Sequence, residues 1–239
     1  MCSHTLLRGL ALACLLAAAP HAAASGLQIA PTGLAFASGG PAQALWLTNT
    51  GDHELRAQVR AFRWSQGEGK DALDPTHALV ASPPMLSIPP GGRQLVRVIR
   101  AGAAASGEQA FRLLIDELPV GEGRQNGIQY VLRYSVPVFV GAGTGPDLQW
   151  SAKADNGEIR LDIRNAGTAH AQISTLRLVA ADGAPTPLVP GLLGYVLPGA
   201  TMHWTIPLPG GTTTANAHIK AEINGEPTDQ TLSPGAPSR

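Results

Sequence analysis

Five histidines outside the N-terminal stretch, His53, His77, His170, His203 and His218, are the first candidates for chemistry. A zinc site needs its ligands at turn or helix spacing, as His-x-x-x-His or with paired cysteines. These histidines show neither pattern. Glu108, Asp116 and Glu117 would supply the two carboxylates of a glycosidase. Asp116 and Glu117, however, are sequence neighbours and point to opposite faces of a strand, so the acids read as salt-bridge partners. The chain contains no Gly-x-Ser-x-Gly elbow and no Walker loop. Gly141-Ala142-Gly143-Thr144-Gly145-Pro146 includes a Gly-x-Gly, but a dinucleotide loop must open a helix. Pro146 and the strand-like Leu148-Gln149-Trp150 follow instead, so the stretch reads as a linker. Trp46, Trp64, Trp150 and Trp204 lie on strand-like segments and read as core residues, not as a sugar-stacking platform. No catalytic, metal or cofactor site is expected from these residues.

The elements that would carry these residues are short strands. Of 239 residues, 44% are hydrophobic and 14% charged, with 17 basic against 17 acidic side chains. Neutrality argues against a nucleic-acid binder, and the hydrophobic fraction against disorder. Apolar runs recur at roughly 8–15 residues between Gly, Pro, Asn and Asp, the spacing of β-sandwiches. Strands are predicted over 27–36, 43–49, 55–64, 78–81, 93–100, 109–118 and 127–140. A second series follows over 147–152, 158–164, 171–179, 187–189, 193–197, 201–206 and 216–223. No window sustains a helical period. The polar, Pro-rich end from Thr228 to Arg239 is expected to fray.

Residues 1–24 read as a secretory signal. Arg8 supplies the positive end, Gly9 to Ala19 is an apolar run too short to span a bilayer, and Ala22-Ala23-Ala24 offers a cleavage site. A lipoprotein reading would acylate Cys14, but Ala11-Leu12-Ala13-Cys14 lacks the leucine normally wanted three residues before the cysteine. Both cysteines, Cys2 and Cys14, lie in this leader, and losing Arg8 leaves 16 basic against 17 acidic side chains. An exported chain without disulfides is held by burial alone, which favours a sizeable core.

The longest predicted strand, 127–140, is the informative one. Ile128, Tyr130, Leu132, Tyr134, Val136 and Val138 share one face, while Gln129, Arg133 and Ser135 share the other. Pro137 cannot donate a ladder hydrogen bond, which places it at an edge or where strands part. A long apolar edge is an aggregation hazard unless another chain covers it. The pattern alone favours the plainer reading, a strand buried in its own sandwich.

At this point the motifs, taken in order, resemble the periplasmic PapD-like pilus-assembly chaperones of chaperone–usher systems. Leu27-Gln28-Ile29-Ala30-Pro31-Thr32 to Phe36 looks like the first strand of that family. Leu45-Trp46-Leu47-Thr48-Asn49-Thr50-Gly51 looks like the second, and Ala57 to Trp64 like the third. Ser82-Pro83-Pro84-Met85, Ile88-Pro89-Pro90-Gly91 and Gln94-Leu95-Val96-Arg97-Val98 follow its proline-rich run. Glu108 to Pro119 follows its sixth strand, and 127–140 falls at its donor strand. In the second half, Ile163-Arg164-Asn165-Ala166-Gly167 and Tyr195-Val196-Leu197-Pro198-Gly199 match best. Phe62-Arg63-Trp64 and Arg133-Tyr134-Ser135-Val136-Pro137-Val138 look more like the archaic, spore-coat-U-like branch.

The resemblance implies an all-β fold of two immunoglobulin-like sandwiches in an L or boomerang arrangement. The domains would be 25–142 and 147–239, with 143–146 as hinge. It implies a periplasmic, non-enzymatic chaperone without cofactor, gripping pilus subunits one to one by donor-strand complementation and passing them to an outer-membrane usher. Nucleic acid and stable membrane insertion are not implied. Ile128, Tyr130, Leu132 and Tyr134 are the expected donor residues. The better-known branch anchors the client's C-terminal carboxylate with basic residues at positions that here are Gly33 and Pro137. A third basic position matches Gly141. A buried carboxylate still needs a cation; Arg112 is the first candidate, then Arg97 and Arg133. A structural pilus subunit or secreted β-sandwich adhesin is the alternative. Such subunits are usually single incomplete sandwiches, often with a disulfide.

Overall fold

A computed structural model describes residues 26–36, 40–102, 107–119, 131–155, 157–180, 183, 185–210 and 217–231. The expected leader and the donor residues Ile128 and Tyr130 lie outside the described residues. Among the described residues the chain is all strand and loop, and no helix is long and apolar enough to cross a membrane.

The first sandwich is built from β1 (Leu27–Ala30), β2 (Leu34–Phe36), β3 (Ala42–Asn49), β4 (Leu55–Gly67), β5 (Lys70–Pro75), β6 (Leu79–Ser82), β7 (Met85–Ile88), β8 (Arg93–Arg100), β9 (Gln109–Leu118) and β10 (Arg133–Val140). One sheet runs β1-β3-β8-β6. The other runs β2-β10-β9-β4-β5, with β7 also on β4. The predicted first strand, 27–36, is thus two strands. β1 pairs antiparallel with β3, and after Pro31–Gly33 the chain crosses to the other sheet, where β2 runs parallel to β10.

The second sandwich is built from β11 (Leu148–Asp155), β12 (Glu158–Asn165), β13 (Ala171–Val179), β14 (Pro185–Val196), β15 (Thr201–Pro207), β16 (His218–Ile223) and β17 (Glu226–Thr231). Its sheets run β11-β12-β15 and β14-β13-β16-β17. Three strands escape the sequence pattern, and β17 overturns the expected fraying from Thr228. β5 is exposed throughout and β17 is a hairpin partner, so neither carries core alternation. β7 is only four residues long.

Both sandwiches are closed by the same device, a buried asparagine in an Asn-x-Gly turn. Asn49 donates its amide to Ile88 O (2.9 Å) and His53 O (2.7 Å), while its Oδ1 accepts from Gly51 N (3.0 Å). Asn165 donates to Val196 O (3.0 Å) and Ala169 O (2.8 Å), while its Oδ1 accepts from Asp147 N (3.1 Å) and Gly167 N (3.0 Å). Each is at most 1% exposed, and full pairing is what makes a buried amide tolerable.

The cores divide unevenly. The first packs Phe36, Leu45, Leu47, Phe111, Leu113, Ile115, Val136 and Val138 between its two sheets. The second contains Ile159, Leu161, Ile163, Ile173, Leu176 and Ile219, and is joined by Trp64, Ala110 and Phe139 from the first sandwich. The junction is therefore an extension of the second core. The linker is not loose either. Thr144 N donates to Thr168 Oγ1 (2.8 Å), the two threonine hydroxyls lie 2.9 Å apart, and Thr168 N and Ala169 N donate to Gly145 O. A Cβ on Gly143 would collide with the Thr168 carbonyl, which is why this approach needs glycine. The strapping follows from the residue types: two threonines that can bond each other, and glycines that let backbones touch.

Candidate functional site

β10 is the strand that the sequence singles out, and its two ends differ. In register with β9, Arg133 faces Asp116, Tyr134 faces Ile115, Val136 faces Leu113, Pro137 faces Arg112 and Phe139 faces Ala110. Tyr134, Val136, Val138 and Val140 turn into the first core, as their alternation predicts. Arg133, Ser135, Pro137 and Phe139 turn to the other face, together with Asp116, Leu114, Arg112 and Ala110. At Val138–Val140 the strand also has β2 on its far side, with Leu34 opposite Val138. From Arg133 to Pro137 no strand lies on that side among the described residues.

The backbone direction can be read from two hydrogen bonds. Glu117 N donates to Leu132 O on the β9 side (2.9 Å), and Gly141 N donates to Phe36 O on the β2 side (3.3 Å). Backbone groups alternate sides along an antiparallel strand. Those of Tyr134 and Val136 therefore face β9, while the N–H and C=O of Arg133 and Ser135 face the open side. Pro137 occupies the same outward register, at the point where β2 pairing stops. Its missing N–H costs β9 nothing, which explains why proline is tolerated in a strand buried on both faces. Just before the open edge, Val131 and Leu132 are exposed at 51% and 41%.

Charges collect on the outward face. Asp116 accepts from Arg60 Nη2 (2.7 Å) and from Arg133 Nε. Burial pushes its carboxyl pKa up, but the hydrogen bonds from Arg133 and Arg60 outweigh this and hold it below the ordinary value of 3.8. Glu117, on the opposite face, lies 3.4 Å from the Tyr134 hydroxyl, which donates to it. Glu108 bridges the sandwiches: its carboxylate accepts from His170 N (2.7 Å) and meets His170 Nδ1 at 2.9 Å. All three acids thus have pairing roles, Asp116 and Glu117 on opposite faces of β9 and Glu108 just before it.

Arg112 lies on this face beside Pro137. Its guanidinium carbon is 3.7 Å from the Trp64 ring centre and 5.1 Å from that of Tyr195, in the second sandwich. Burial lowers its pKa, with Asp71 and Tyr195 opposing, yet a guanidinium stays charged. Among the described residues it has no ion-pair partner. Gly33 lies against Pro137, its side-chain position 3.5 Å from Pro137 Cγ. The two positions at which the better-known branch keeps its anchor thus touch each other, with Arg112 directly across the ladder. The other two candidates are placed differently. Arg97 is exposed on β8, in the sheet opposite β10, and the structure does not bring it to the edge. Arg133 sits at the edge but is engaged by Asp116.

The sequence reading missed the second sandwich's share of this region. Tyr195 meets Trp64 edge to face (5.4 Å), and His170 stacks on Phe139 (3.4 Å, interplanar angle 2°). Gln66 donates to Tyr195 O (3.0 Å) and accepts from Leu197 N (2.8 Å). Trp64 therefore packs between sandwiches and not within one, while Trp46 and Trp204 are only partly buried.

The two sandwiches are immunoglobulin-like, and among the described residues half of β10 has an open edge beside their junction. The family described as pili and flagellar-assembly chaperone, PapD N-terminal domain, matches residues 26–141. No curated protein sequence matches the chain. Among solved structures, the CsuC–CsuE chaperone–tip adhesion subunit pre-assembly complex from archaic Csu pili of Acinetobacter baumannii matches at TM-score 0.63 and 25% identity, over 86% of this chain and 96% of that one. The CupB2 chaperone of Pseudomonas aeruginosa (TM-score 0.59, 17% identity, 86% and 100% covered) shares the fold. So does the SafA–SafB pilin–chaperone complex of Salmonella enterica (0.60, 15%, 87% and 97%). The chain belongs to the PapD-like pilus-assembly chaperones, a family of assembly factors and not of enzymes.

Proposed function

We propose that the protein is a periplasmic chaperone of the archaic branch. It stabilises pilus subunits that lack a strand by lending them the open half of β10 and the residues before it, and delivers them to an outer-membrane usher. The observation that carries this reading is the backbone at Arg133 and Ser135, which has no strand partner on its outer side among the described residues and is reached through the exposed Val131 and Leu132. A subunit strand laid on that side gains ladder hydrogen bonds. Leu132 and Tyr134, with Ile128 and Tyr130 ahead of them, then supply alternate side chains to its groove. Each fully buried donor side chain contributes on the order of 1.5–3 kcal/mol. The similarity to the archaic CsuC–CsuE complex supports the branch. Domain limits of 25–142 and 147–239, around a 143–146 connection, fit the two sandwiches.

Arg112 is the proposed anchor for the subunit's C-terminal carboxylate. A strand added beyond β10 lies two strand spacings from β9, about 10 Å. Pro137 presents no long side chain in between, so the end of a subunit strand running past it can approach the Arg112 guanidinium where it rests on Trp64 at the junction. The test is co-expression with a strand-deficient pilus subunit and isolation of a 1:1 complex from the periplasm. Arg112→Ala is expected to abolish recovery of the complex while leaving the free protein folded by circular dichroism. Normal yield from that variant removes Arg112 from the site. Failure of the wild type to capture any such subunit, together with its own assembly into fibres, would favour the structural-subunit alternative.

A further inference from the structure

The Arg112 guanidinium is held from both sides of the junction. Trp64, on β4, is 3% exposed and presents its ring at 3.7 Å, and Tyr195, on β14, closes over the same cation at 5.1 Å. The two rings meet edge to face at 5.4 Å, the geometry in which the positive edge of one aromatic addresses the negative face of another. Burial pushes the Tyr195 phenol up, partly offset by Arg112, in keeping with a ring that has left water to cover a charge. Tyr195 is in turn fixed by its own backbone, because its carbonyl accepts from Gln66 Nε2 at 3.0 Å. Behind this pair, Phe139 lies 6.0 Å from both Trp64 and Tyr195 and carries the stacked His170, whose partner is Glu108. A flexible four-bond side chain is thus confined by one ring from each sandwich.

We propose that Tyr195 is a positioning residue of the client site: it presses Arg112 against Trp64, so the anchoring cation is presented only when the two sandwiches are docked. This rests on the reading of Arg112 as the carboxylate anchor. A flat guanidinium fits between two rings and keeps its edge N–H groups for an incoming carboxylate, which an ammonium in the same place would not do as well. Because linkage is reciprocal, a carboxylate bound at Arg112 strengthens docking of the sandwiches by the same factor that docking strengthens its binding. The second sandwich is then part of the site without offering a strand.

The test uses the full-length mature chain and two synthetic peptides of alternating valine and threonine, one ending in a free carboxylate and the other amidated. Affinity is measured for both by fluorescence titration, and the ratio between them reads the anchor alone. Wild type is expected to prefer the free carboxylate by about tenfold or more, as a charge-assisted contact does. Tyr195→Leu is expected to collapse that ratio towards one, while Tyr195→Phe, which keeps the ring, retains it. A purely structural role for Tyr195 would weaken both peptides equally and leave the ratio intact, which overturns the proposal. If Arg112→Ala collapses the ratio and Tyr195→Leu does not, the anchor stands and the positioning role falls. If Arg112→Ala leaves the ratio unchanged, or wild type shows no preference, the anchor reading itself fails and the positioning role with it.

Discussion

The two halves of β10 belong to one strand and obey different rules. From Val138 to Val140 it is flanked by β2 and β9 and buried on both faces, with Val138 in the first core and Phe139 in the second. From Arg133 to Val136 it keeps only β9 among the described residues, and Arg133 and Ser135 are exposed. The closed half joins the molecule to itself, and the open half is the part proposed to take on another chain. The change falls at Pro137, the residue that has no N–H to offer on the open side. A single strand can thus be fixed firmly enough at one end to hold its other end ready, and preorganisation of this kind lowers the entropy cost of taking on a partner.

Substitutions on either side of Pro137 should separate these roles. The largest effect on stability is expected at Phe139→Ala, which removes a buried ring and its stack on His170; unfolding in urea followed by tryptophan fluorescence should show a loss of about 3–5 kcal/mol. A loss below 1 kcal/mol would mean that the closed half is not what joins the sandwiches. Next comes Asp116→Asn, at the head of the open half. The folded-state pKa of Asp116 lies below its ordinary 3.8, so its contribution is complete above that value and is lost as pH falls through the lower, folded-state value. Both arginines that pair with it are substantially exposed, so the effect at neutral pH should be about 1 kcal/mol or less. The gap between variant and wild type should stay constant down to about pH 4 and close below it. A gap that widens on acidification contradicts this. The smallest effect on the fold is expected from Ser135→Pro. Its N–H points to the open side, so unfolding should shift by about 1 kcal/mol or less, while subunit capture is lost. Retained capture would show that the open edge is not the contact.

Much of this was legible in the residues. β9 is legible at its observed limits as a short apolar run, and within the alternating 127–140 segment Pro137 marks an edge or a place where strands part. β5 and β17 were not read, because both are hairpin arms without core alternation. Their turns nevertheless carried signals, Glu68-Gly69 and Asn224-Gly225, with positive φ at all four residues, and Asn-Gly between strands is a strong hairpin sign. Arg112 could be placed on the strand beside the donor from the resemblance, though its register opposite Pro137 emerges only in the structure. Tyr195 could not, since nothing local in the sequence says that a residue of one sandwich will cover a cation of the other. Arg97 misled for the complementary reason: it lies on a strand of the right pattern but in the other sheet, and sheet membership is a long-range property.

The strapped linker has a mechanical consequence. With Thr144 and Gly145 bonded to Thr168 and Ala169, the segment moves with the second sandwich, like a lever arm bolted to it. What remains between that arm and β10 is Gly141, Ala142 and Gly143, with Gly141 at φ 100°. Any rotation of one sandwich on the other must therefore turn the chain within three residues, set directly on the end of β10. Torque at the junction would be delivered along the same strand whose far end is proposed to receive a partner, so gripping and bending would share one axle.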